Sequence, residues 1–173
     1  MKTIKHFSVL ILFTILFTQN TLAMEKKTVQ KTTVLCITLN TTLKTMMNDT
    51  GSLPDELMAK AAELKLEITG LPIWVYDGAD GNPDKPIKLT ISVPVAKVSG
   101  EPGKFSFAEL PEFHCISEMH LGPWDKLGET YHKLMPAIAQ QGLTFTGMTR
   151  EIYKVIDFGH QENCVTEIQI EVK

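Results

Sequence analysis

The segment Leu66-Glu67-Ile68-Thr69-Gly70-Leu71 returns 77 residues later as Leu143-Thr144-Phe145-Thr146-Gly147-Met148. Held without a gap, that offset sets Tyr76 on Tyr153 and Asp80 on Asp157, and it sets Ile91, Val93 and Val95 on Ile168, Ile170 and Val172. Upstream, Leu57 falls on Leu134 and Ala61 on Ile138. Identities are sparse, but register, apolar pattern and order of elements agree. A repetition at fixed period constrains the fold more than any single motif, because what one half forms the other must also form. Residues 96–104, with Ser99-Gly100-Glu101-Pro102-Gly103, read as the linker between halves at about 30–95 and 107–172.

Each half reads as strand, helix, strand, strand. In the first, the β-rich run 32–39 is followed by a helix over 53–65, with Ser52 as cap, Pro54 in the first turn and Leu57, Ala61 and Leu64 forming a buried stripe. Strands over 73–76 and 89–95 flank a Gly-, Asp- and Pro-rich hairpin loop over 77–86. In the second half, a strand over 113–121 leads through Gly122-Pro123 into a helix ending near Gln141, with Leu127, Tyr131, Leu134 and Ile138 on one face. Pro136 is expected to kink or split that helix. Strands over 150–158 and 165–172 close the half. The expectation is an α+β fold: a tandem duplication of a β-α-β-β module with pseudo-twofold symmetry and a ligand cleft between the halves.

Residues 1–23 read as a secretory signal peptide and residues 24–173 as a single domain. Lys2 and Lys5 precede an apolar run over 7–18, and Thr21-Leu22-Ala23 offers small residues at a cleavage site. The run is shorter than the roughly 20 residues of a spanning helix. Export to the periplasm or medium is therefore expected, with no stable membrane insertion after cleavage. The formal charge is −3 and no basic stripe occurs, so composition speaks against nucleic acid as a partner. In an exported chain, Cys36, Cys115 and Cys164 can form one disulfide or serve as buried hydrophobes. The 77-residue offset sets Cys36 on Phe113, two residues from Cys115, and this suggests a Cys36–Cys115 bond.

The richest segment for binding is Thr149-Arg150-Glu151-Ile152-Tyr153. On a strand Glu151 and Tyr153 share a face. A carboxylate beside an aromatic ring suits a cationic or polar aromatic ligand, and a surface acid beside a core tyrosine is the plainer alternative. Their counterparts at the offset are Trp74 and Tyr76, so both halves offer aromatics to one cleft. His114, Glu118 and His120 share a face of the strand over 113–121 without a recognised metal spacing, and a solvated strand face explains them more simply. The loop from Asp77 to Asn82 fails the calcium-loop frame. No metal site and no cofactor is expected.

His120-Leu121-Gly122-Pro123-Trp124, then Gly142-Leu143, Gly147, Glu151-Ile152-Tyr153 and Thr166-Glu167-Ile168, resemble the GyrI-like effector-binding family. The resemblance covers most of 30–172, clearly in the second half and weakly in the first. It implies a tandem β-α-β-β fold with a central cleft whose buried acid, Glu151 here, meets cationic or amphipathic aromatic ligands. It adds Trp124 and His120 to the ligand-binding set of Glu151, Tyr153, Trp74 and Tyr76. Related proteins include ligand-sensing domains of transcription regulators, stand-alone binding proteins and hydrolases of cyclopropane-bearing compounds. This chain departs from the regulators in showing an export signal and no helix-turn-helix before the domain. Two readings follow: an exported small-molecule-binding protein, or a hydrolase in which Glu151 and Tyr153 carry catalysis.

Overall fold

The structure is a computed structural model describing residues 24–173, so the expected signal peptide lies outside the described residues. Eight strands form one antiparallel sheet. In chain order they are β1 (Glu25–Val29), β2 (Thr32–Thr42), β3 (Ile73–Asp77), β4 (Pro86–Pro94), β5 (Ser106–Leu110), β6 (Phe113–Leu121), β7 (Phe145–Val155) and β8 (Val165–Val172). Three helices join them: the short α1 (Met46–Thr50), α2 (Leu53–Glu63) and α3 (Leu127–Gln140).

The strands lie in the order β1-β6-β8-β7-β3-β4-β2-β5. Outward from the central β3–β7 pair, each side runs hairpin partner, first strand of the same half, then a short strand from the other half. The order also fixes the sheet's curvature. β1 and β2 are joined only by Gln30 and Lys31, and β5 and β6 only by Pro111 and Glu112, yet each pair lies near opposite ends of the order. Links that short span roughly 10 Å. The sheet must therefore curl until its two ends meet.

Curling gives the sheet an inner and an outer face. Both long helices pack on the outer face, each by an apolar stripe. Leu57 and Ala61 of α2 join Leu35, Leu89, Ile91 and Val93. Leu134 and Ile138 of α3 join Ile116, Ile168 and Ile170. Residues that alternate with these point inward, as strand geometry requires. There Val34, Cys36, Val75 and Leu110 pack together, and Phe113 and Arg150 are also buried.

Three expectations are corrected. Pro136 does not split α3, which continues through it as one helix. The carbonyl freed by the missing N–H is that of His132, and His132 and Pro136 both lie on the exposed side, where water can take the bond. Cys36, Cys115 and Cys164 are all buried free thiols, so no Cys36–Cys115 disulfide forms. Cys36 pairs in register with Ser92 and Ser106 on β4 and β5, whereas Cys115 pairs with Lys27 and Glu171 on β1 and β8, on the other side of the sheet order. The strand expected over 150–158 begins at Phe145 and ends at Val155. Its register slips between Phe145 and Thr149, where Gly147 takes a φ of +101° that side chains other than glycine's rarely adopt.

Candidate functional site

The central strands bring the two halves together at one pair of residues. Trp74 on β3 stands directly opposite Glu151 on β7, and the next pairs are Val75 with Arg150 and Tyr76 with Thr149. Glu151 and Tyr153 share the outer face, between the packed stripes of α2 and α3. Glu151 is 4% exposed. A carboxylate so deep needs donors, and here they are phenols. Tyr76 Oη donates to Glu151 Oε2 at 2.8 Å, Tyr153 Oη donates to the same oxygen at 2.9 Å, and Tyr131 Oη donates to Oε1 at 3.0 Å. The Tyr131 oxygen also lies 3.4 Å from Thr149 Oγ1. The chain has three tyrosines, and all three converge on this one acid.

The chain's two tryptophans stand here as well. Trp74 meets the Tyr153 ring edge-on at 5.5 Å between centroids, and Trp124 meets the same ring at 6.0 Å. Trp124 in turn meets Phe158 at 5.5 Å, so an aromatic chain runs from the buried acid to an exposed rim. Such edge-to-face pairs contribute about 0.5–1.5 kcal/mol beyond area burial.

The turn carrying Trp124 is held from two sides. Gly122, at φ +117°, donates its N–H to Cys164 O at 2.9 Å. His120 lies 3.1 Å by Nε2 from Pro123 O and 2.9 Å by Nδ1 from Thr130 Oγ1. A carbonyl can only accept, so Nε2 donates, and in the neutral ring Nδ1 accepts from Thr130. Both ring nitrogens are thus engaged within the protein, and His120 sets the Trp124 turn against α3.

Electrostatics follow from burial. Desolvation pushes the Glu151 carboxyl above its ordinary value, outweighing the hydrogen bonds from Tyr76, Tyr153 and Tyr131. Burial and the Glu151 charge together push all three phenols well above theirs, which keeps them protonated and donating. An ionised carboxylate offers about four lone-pair positions. Three are filled, and one remains for a cation or an N–H.

The structure thus joins Glu151, Tyr153, Trp74, Tyr76 and Trp124 in one cluster and adds Tyr131, which the sequence shows only as part of α3's apolar stripe. Glu151 is buried in this cluster, so a ligand reaches the acid only if the surrounding side chains move. His114 is exposed, bonding Thr28, while Glu118 pairs with Lys133, apart from the aromatic cluster. Among the described residues no group of three or more His, Cys, Asp or Glu could hold a metal ion.

The fold is α+β, and at its centre a buried acid sits among aromatic side chains. The chain belongs to the GyrI-like family: the model of the GyrI-like small molecule binding domain matches residues 23–173. The C-terminal domain of EcmrR shares the fold with a TM-score of 0.73 at 18% identity, over 87% of this chain and 97% of that one. So does SAV2435 bound to tetraphenylphosphonium, with a TM-score of 0.62 at 16% identity, over 87% and 94% of the two chains. A hydrolase from Listeria innocua, encoded by lin2189, does so with a TM-score of 0.63 at 14% identity, over 88% and 92%. No curated protein matches the chain.

Proposed function

We propose that this protein is an exported, stand-alone binding protein that takes a cationic or amphipathic aromatic small molecule at Glu151. The observation that carries the reading is the convergence of one buried carboxylate, three phenol donors and two tryptophans on the β3–β7 pair. An aromatic cation would restore the charge balance that burial denies Glu151 and stack on rings already present. SAV2435, a structural neighbour, is bound to tetraphenylphosphonium, an aromatic cation. Both tryptophans line the site, so titration with tetraphenylphosphonium should change the intrinsic fluorescence in a saturable way. Unchanged emission together with no heat of binding by calorimetry would remove this reading.

Export rests on the charged n-region, the apolar run and the Thr-x-Ala site. Protein recovered from the envelope fraction or medium should begin near Met24, and N-terminal sequencing that returns Met1 would refute it. The tandem β-α-β-β duplication belongs to the same reading. It is supported by the sheet order and by the pairing of Trp74 with Glu151, residues one 77-residue offset apart. Superposition of 30–95 on 107–172 at that offset tests it.

A hydrolase is the second reading. It is favoured by the raised Glu151 carboxyl, which holds a proton to higher pH than an ordinary glutamate and could deliver it to a leaving oxygen or carbon. Tyr153 would orient the acid. Turnover of a strained electrophile that Glu151→Gln abolishes separates this from binding alone.

A further inference from the structure

Among the described residues, four buried polar atoms lack a hydrogen-bond partner: Arg150 Nε, Gln169 Oε1, Trp124 Nε1 and Thr166 Oγ1. They fall into two pairs. Arg150 and Gln169 stand directly opposite each other on β7 and β8 and face inward. One is a donor and the other an acceptor, so a single water between them would satisfy both.

The second pair has a different character. Thr166 is fully buried and stands opposite Tyr153 on β7 and opposite His120 on β6. Residues directly opposite on antiparallel strands point to the same face, so the Thr166 hydroxyl shares the outer face with Tyr153 and Glu151. Trp124 meets the same Tyr153 ring edge-on, at 6.0 Å between centroids. An indole N–H can only donate, and a threonine hydroxyl can donate as well as accept. Two unused donor groups therefore adjoin Tyr153, the residue that leads to the site acid. Three of the Glu151 lone-pair positions are taken by phenols and the fourth is the one left for a cation, while Pro123 O is engaged by His120.

The geometry points to a second polar subsite, formed by Trp124 Nε1 and Thr166 Oγ1 beside Glu151, that accepts an uncharged oxygen of the ligand. The inference rests on the binding reading above and narrows it. The ligand is an aromatic cation that also carries a carbonyl, ester or ether oxygen close to its charge, rather than a bare hydrophobic cation. Glu151 supplies attraction for the charge, and this pair selects among cations by what they can accept. A buried donor left unpaired by an incomplete ligand is the usual source of such selectivity.

Two small probes separate the terms: benzoylcholine, an aromatic ester cation, and (4-phenylbutyl)trimethylammonium, which has the ring and charge but no oxygen. The wild-type protein should bind the ester more tightly by about 5- to 10-fold, the range of one hydrogen bond. Thr166→Val keeps shape and removes the hydroxyl. It should weaken the ester about 5-fold and leave the alkyl cation within about 2-fold. Thr166→Ser, which keeps the donor, should preserve the preference. No preference in the wild type, or equal weakening of both probes by Thr166→Val, overturns the subsite and leaves the pair holding a bound water only. Tetraphenylphosphonium has no hydrogen-bonding group and serves as the control. If it binds while the ester preference is absent, the subsite fails and the Glu151 reading stands. If no cation binds, both fail.

Discussion

Replacing Glu151 by glutamine is expected to weaken tetraphenylphosphonium binding by about 1.5–3 kcal/mol, roughly 10- to 150-fold in Kd. Glutamine keeps the outline of the side chain but removes the charge that faces the cation. Its amide nitrogen cannot accept from a phenol, so one of the donors on Glu151 must turn away. Neutral aromatics of similar size should bind the variant nearly as well as the wild type. The pH dependence gives an independent readout. Burial raises the Glu151 carboxyl, so wild-type binding of the cation should weaken as pH falls through that raised value, and the variant should lose the dependence. The same shift has a stability sign. A carboxyl raised by folding stabilises the native state below its unfolded value and loses that contribution as pH rises through the folded one. The variant's Tm, measured against wild type without ligand, should therefore rise relative to it as pH increases above about 4.5. A folded variant that binds the cation as tightly as wild type would dismiss Glu151 as the site acid.

Much of this site is visible in strand parity. Glu151 and Tyr153 alternate correctly on a β-rich segment, and the 77-residue offset leads from them to Trp74 and Tyr76, which the structure sets beside them. Tyr131 escapes because it falls at helical spacing with Leu127, Leu134 and Ile138. A tyrosine on an apolar stripe reads as packing, and only its hydroxyl, at the edge of the stripe, reaches Glu151. The strands over 113–121 and 165–172 are legible to the residue, since each is a long run with strong apolar content. β1 and β5 are not. Glu25-Lys26-Lys27-Thr28-Val29 and Ser106-Phe107-Ala108-Glu109-Leu110 are short, charged edge segments whose partners lie in the other half of the chain. Charge on an edge strand protects it from unwanted pairing and also erases the local pattern. Because these strands close the sheet, the inner face escapes as well, and with it the meaning of the acid two residues from Gln169.

That acid, Glu167, is expected to be the costliest single truncation on the inner face. It stands opposite Ile152, so it points away from Glu151 through the sheet. It is 3% exposed and accepts from Gln169 Nε2 at 2.8 Å, Ser117 Oγ at 3.0 Å, Lys154 Nζ at 2.9 Å and Lys27 Nζ. Burial pushes its carboxyl up, but the bonds from Gln169, Lys27 and Lys154 outweigh burial and hold it at about 2. Glu167→Ala leaves Ser117 and Gln169 without their acceptor and two lysines without a counter-charge. Breaking a buried ion pair costs about 3–5 kcal/mol. The lysine side chains are 27% and 34% exposed and can turn toward water, which favours the lower end, near 3 kcal/mol. For a domain of this size that lowers Tm by roughly 6–12 °C. The acid limb should change too. A carboxyl lowered by folding contributes its stability above the unfolded value and loses it as pH falls through the folded one. The wild type should therefore lose stability between about pH 4.5 and 2 through this group, and the variant should lack that step. Tetraphenylphosphonium affinity, measured where the variant is folded, should stay within about 2-fold of wild type, because Glu167 and the Glu151 site lie on opposite faces. A variant that unfolds at the wild-type temperature but no longer binds the cation would move the functional acid from one face of the sheet to the other.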